Sequence, residues 1–117
     1  MSAGILNLSI EQGTTYSQQL TWKVNDVAVN LTGYTARLKA RGTNAGRSAP
    51  PALSLTSSSG ITLGGAAGTI TLGLSATATS NLIAGKYNYD LELESSGGVV
   101  TRLLKGTLTV VSEVTYG

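Results

Sequence analysis

Gly85-Lys86-Tyr87-Asn88-Tyr89-Asp90-Leu91-Glu92-Leu93-Glu94, followed after Ser95-Ser96-Gly97-Gly98 by the run Val99 to Val111, is the stretch that decides the fold. In its first half Tyr87, Tyr89, Leu91 and Leu93 alternate with Lys86, Asn88, Asp90, Glu92 and Glu94. A period of two with apolar residues on one side and polar residues on the other is the pattern of a half-buried β-strand. The second half is apolar at Val99, Val100, Leu103, Leu104, Leu108, Val110 and Val111, but its alternation breaks near Gly106, which predicts a bulge or bend there. The two halves read as a β-hairpin on which the rest of the chain packs.

Upstream, the same pattern recurs in shorter pieces. Leu6, Leu8 and Ile10 alternate up to Gly13. Tyr16 to Val24 places Leu20, Trp22 and Val24 on one face, and Asn25-Asp26 predicts a tight hairpin into Val27-Ala28-Val29. Tyr34 to Arg41 turns Ala36, Leu38 and Ala40 inward and Thr35, Arg37, Lys39 and Arg41 outward. Gly42 to Pro51 reads as a flexible loop. Leu53 to Thr56 and Ile61 to Leu63 flank a Ser57-Ser58-Ser59-Gly60 turn, and Thr69 to Leu74 is a further strand. Leu74, Ala78 and Leu82 then change to a spacing of four, which predicts one or two helical turns over 75–82 with Ser75 as the cap.

About seven to nine short strands, turn signals every 8–12 residues and almost no helix predict an all-β fold, an antiparallel β-sandwich of immunoglobulin-like type. The paired cysteines of antibody domains are absent. Tyr87 and Tyr89, early in a late strand and just after a helical turn, are placed for a tyrosine corner. With no internal repeat and no linker, residues 1–117 read as one domain with a short N-terminal arm over 1–5 and the loop at 42–51.

Composition narrows the chemistry. Apolar residues are 41% of the chain and charged residues only 12%, so much of the surface must be Ser, Thr, Gly and Asn or be covered by a partner. The net charge of +2 is too small to define a polyanion partner. The absence of Cys excludes disulfides and thiolate metal sites, and the absence of His removes the usual general base. A hydroxyl nucleophile would need a neighbouring base, and no Ser-x-x-Lys spacing supplies one. The expectation is a non-enzyme without cofactor or small-molecule substrate. No apolar run is long enough for a membrane helix, and neither a membrane partner nor a signal peptide is expected.

Two charged stripes stand out. Asp90, Glu92 and Glu94 follow one another at about 6–7 Å on one strand face, too far apart to share a cation without a second set of oxygens. Together with Arg102 they are the candidate ion ladder. Arg37, Lys39, Arg41 and Arg47 are the candidate interaction surface. Without interleaved aromatics this cluster suits an acidic protein surface better than nucleic acid. Leu63-Gly64-Gly65-Ala66-Ala67-Gly68-Thr69 lacks the Gly-Lys-Ser/Thr ending of a phosphate loop and reads as a turn. Trp22, sharing a face with Leu20 and Val24, reads as core; were it exposed beside tyrosines, it could serve a carbohydrate-binding module.

The segments Asn30 to Leu38, Gly68 to Leu72 and Ala84 to Leu93, taken together, resemble small β-sandwich virion proteins of tailed bacteriophages, including the N-terminal domain of the baseplate upper protein family. The resemblance implies a structural protein made in the host cytoplasm and incorporated in the virion, where it docks on other phage proteins in symmetric multi-copy assembly at the tail, baseplate or fibre-attachment region. The alternative it implies is capsid decoration on the head. The chain departs from the baseplate family in ending at Gly117, with no trailing coiled coil or receptor-binding domain, which favours a joining or decorating role.

Overall fold

A computed structural model describes residues 4–43 and 52–113. Arg47 and most of the predicted 42–51 loop lie outside the described residues, as do residues 1–3 of the predicted arm. The described strands are β1 (Gly4–Ile5), β2 (Leu8–Glu11), β3 (Tyr16–Thr21), β4 (Lys23–Val24), β5 (Val27–Ala28), β6 (Thr35–Gly42), β7 (Leu53–Thr56), β8 (Ile61–Leu63), β9 (Thr69–Leu74), β10 (Gly85–Glu94) and β11 (Val100–Val111). They form two principal sheets. One runs β1-β11-β10-β6-β7, with β2 also on β11; the other runs β3-β9-β8. Their inner faces enclose one core in which Leu38, Leu91, Leu93, Ile70, Leu72 and Leu108 are fully or almost fully buried.

This is an all-β immunoglobulin-like sandwich. Pairing is antiparallel except at the N-terminus, where β1 and β2 both run parallel to β11. The predicted first strand is split because the chain steps at Leu6-Asn7, where the Asn7 side chain accepts a hydrogen bond from the Thr107 amide. The hairpin β10–β11 is the longest pairing, and β6 flanks it on the other side in unbroken register from Tyr87↔Gly42 to Glu94↔Thr35.

Several expectations change in detail. The bulge of β11 is at Leu103, not Gly106: Leu91 pairs with Leu104 while Glu92 pairs with Arg102, leaving Leu103 as the extra residue. Gly106 sits in regular register opposite Tyr89, and a Cβ there would come within 2.4 Å of the Leu6 carbonyl oxygen. The glycine admits the N-terminal strand at close range rather than bending its own strand. Strand 16–24 stops at Thr21 and resumes as β4, with the predicted Asn25-Asp26 hairpin formed by left-handed residues at φ 52° and 65°. Because that small hairpin stands off the sheets, Val24 is 42% exposed rather than core, and Trp22 is half-buried. β7 and β8 belong to different sheets, so the serine turn carries the chain across the sandwich.

The helix α1 (Ala76–Ser80) is capped as predicted, the Ser75 hydroxyl accepting from the Ala78 amide at 3.1 Å. Its buried residue is Thr79, not Ala78. The Thr79 hydroxyl, fully enclosed, lies 2.8 Å from the Thr14 carbonyl, to which it donates, tying the helix to the loop before β3. The glycine run at 64–68 forms a single 3-10 turn over Gly65–Ala67 between β8 and β9. Tyr87, two residues into β10, donates its O–H to the Ile83 carbonyl four residues upstream, the geometry of a tyrosine corner.

Candidate functional site

The outer face of the larger sheet gathers most of the chain's charge. Inward Ala36, Leu38 and Ala40 force Arg37, Lys39 and Arg41 of β6 outward, and inward Tyr89, Leu91 and Leu93 do the same for Lys86, Asp90, Glu92 and Glu94 of β10. On β11 the bulge is decisive. Leu104, Leu108 and Val110 share parity with Arg102, so in a regular strand Arg102 would face the core. The extra residue at Leu103 turns it out, directly opposite Glu92. Lys105, opposite Asp90, completes the set. Nine of the fourteen charged residues (8 basic plus 6 acidic) thus lie on one sheet face, six cations against three anions.

Five of these side chains form a continuous alternating chain across three strands. Arg37 bridges Glu92 at 2.8 Å and Glu94 at 3.3 Å, and Arg102 bridges Asp90 at 3.4 Å and Glu92 at 3.9 Å. Glu92 is shared by both arginines and is the most covered of the five side chains at 24% exposure. Arg37 is held firmly protonated by its hydrogen bond to Glu92, against a small opposing cost of burial. Lys39 stands across from Asp90 on the other side and Arg41 across from Asn88. Arg37, Lys39, Arg41, Asp90, Glu92 and Arg102 line a shallow depression of about 380 Å³. The sequence stripes therefore converge on one surface, except Arg47, which lies outside the described residues. Lys105 was hidden from sequence reading because the bulge upsets the parity of β11.

The chemistry of this surface is set by its ion pairs. Its carboxylates are engaged by arginines, and among the described residues no three carboxylates converge to hold a metal ion. Also among the described residues, no helix is long and apolar enough to cross a membrane. What the face offers is a rigid, oriented array of charges. Along β10 the sign runs from Lys86 through neutral Asn88 to Asp90, Glu92 and Glu94.

The outer face of the smaller sheet is the opposite in character. β3, β8 and β9 contain no charged residue, and their outward positions Ser17, Gln19, Thr21, Thr62, Thr69 and Thr71 are hydroxyls and an amide. Trp22 is not part of an exposed aromatic platform; its ring packs edge-on against Tyr34 with centroids 6.2 Å apart.

No protein-family model matches the chain, and no curated protein matches it. Among solved structures, it is similar to the extracellular domains of the voltage-gated sodium channel beta4 subunit, at 14% identity over 97% of each chain with a TM-score of 0.41. It is also similar to extracellular domains 3–5 of Drosophila OTK, at 17% identity over 98% of this chain and 35% of that one, with a TM-score of 0.36. Likenesses at this level add nothing to what the strand pairings themselves establish.

Proposed function

We propose that this chain is a non-enzymatic docking module of a tailed-phage virion, joining neighbouring proteins in the tail, baseplate or fibre-attachment region. The observation that carries the docking reading is the division of the surface. One sheet face holds nine of the fourteen charges, while the strands of the other sheet hold none. Covering the Ser/Thr face costs less desolvation than covering charges, provided its hydroxyls find hydrogen-bond partners, which suits a lasting contact. The charged face orients a partner and rejects wrong ones by like-charge repulsion. The virion setting rests on the resemblance of Asn30 to Leu38, Gly68 to Leu72 and Ala84 to Leu93 to phage sandwich proteins.

Neutralising the ladder tests the docking reading. Asp90→Asn, Glu92→Gln and Glu94→Gln together remove four exposed ion pairs, each contributing roughly 0.2–1 kcal/mol, so the fold survives with a modest loss of stability. Incorporation into particles, measured in a complementation assay, should fall far more than the melting temperature does. Normal incorporation of a folded triple variant would show that the charged face is not a docking surface.

A further inference from the structure

We propose that β3 is a strand-addition edge, and that its occupant is β3 of a second copy of this chain, paired antiparallel across a two-fold axis at Gln18. Among the described residues β3 has one strand neighbour, β9, and its opposite edge is open. The other edges are blunted: β8 has three residues, β7 four, and the β1–β2 edge is broken at Leu6-Asn7. β3 runs six residues in unbroken register, from Tyr16↔Leu74 to Thr21↔Thr69, with no charge, proline or bulge. An open edge without charge, proline or bulge is what soluble proteins ordinarily avoid unless something covers it.

Burial shows the same vacancy from inside. On β9, Ile70 and Leu72 are closed off at 0% and 1% exposure, whereas their partners Leu20 and Gln18 on β3 stay half-buried, as does Tyr16. Beside the end of the strand, Leu20, Trp22, Ile5, Leu6, Leu103 and Leu104 border an apolar groove of about 430 Å³.

Self-pairing fits the sequence of the strand. Antiparallel partners must share a face, so a two-fold axis at a residue is required, and at Gln18 it sets like against like. Tyr16 meets Leu20 of the second copy on the inner side, and Ser17 meets Gln19 on the outer side. The Gln18 amide, which has no hydrogen-bond partner among the described residues, meets its own symmetry mate, and an amide both donates and accepts. Carried beyond the strand, the register brings Lys23 to the level of Gly13 of the second copy, against which the Glu113 carboxylate is packed. At each end of the contact a lysine of one copy therefore comes near a glutamate of the other. A closed two-fold pair covers the β3 edge of both copies and leaves only the short or broken edges.

The test is the solution mass of the isolated chain, which does not depend on the virion setting. Sedimentation equilibrium should show a monomer–dimer equilibrium that shifts with concentration. Ser17→Lys with Gln19→Lys puts like charges opposite each other at both outer pairs and should weaken dimerisation on the order of tenfold or more. Ser17→Lys with Gln19→Glu, equally exposed and equally charged in number, sets opposite charges across the axis and should keep the dimer. Circular dichroism melting confirms that both variants fold. A wild-type chain that remains monomeric throughout, its edge covered by something else, or two double variants that dimerise equally well, would overturn the proposal.

Discussion

Tyr89 shows how one side chain fastens the N-terminal strand to the central hairpin. It occupies the strand position where antibody-type domains place the second inter-sheet cysteine, two residues after the corner tyrosine. Here the ring is buried at 4% exposure, and its O–H donates to the Leu6 carbonyl, tying the central hairpin to the N-terminal strand. Burial, with a smaller contribution from nearby Tyr16, pushes the Tyr89 hydroxyl up to about 12, and burial alone raises Tyr16. The folded state therefore prefers both phenols neutral, while the unfolded chain ionises them near 10. Their contribution to stability is full below about pH 10, and that of Tyr89 is lost as pH rises toward 12. Melting temperature should be flat on the neutral side and fall steeply over that window, and Tyr89→Phe should flatten the fall while lowering stability at neutral pH by about 1 kcal/mol. Gly106 is the complementary case. Gly106→Ala drives a methyl group into the Leu6 carbonyl and the Asn7 side chain, so the N-terminal strand must move. A loss of about 2 kcal/mol or more in urea unfolding is expected, and wild-type stability would show that the close approach is not sustained.

At the scale of elements, capping and bulging decide what the sequence can announce. Ser75→Ala removes the acceptor of the Ala78 amide and should cost about 1 kcal/mol in chemical denaturation. The β10 stripe, the Asn25-Asp26 hairpin and the Ser75 cap were legible because each is written in local periodicity or turn chemistry. The bulge was legible only as a disturbance. Its place at Leu103 follows from two tertiary demands, Leu104 inward beside Leu91 and Arg102 outward beside Glu92, which no local pattern reveals. The partition of β7 and β8 between sheets was hidden for the same reason, since a serine turn closes a hairpin or crosses a sandwich with equal ease. The halves of the candidate site were visible as stripes, but their meeting through shared Glu92 required the β6–β10–β11 order.

For the molecule as a whole, the low charge content proves to be unevenly spread. Uncharged β3, β8 and β9 make one face, and the ladder and its surrounding cations make the other. A rigid sandwich with two chemically different faces and an open uncharged edge is suited to joining neighbours, and the proposed phage setting gives such a part symmetric partners. The most direct measurement is the copy number and location of this chain in purified particles, by quantitative mass spectrometry with antibody-gold labelling. A low, symmetry-related number of copies at the tail end is the predicted result. Dense coverage of the head would replace the tail assignment with capsid decoration, and absence from particles would contradict the virion reading altogether.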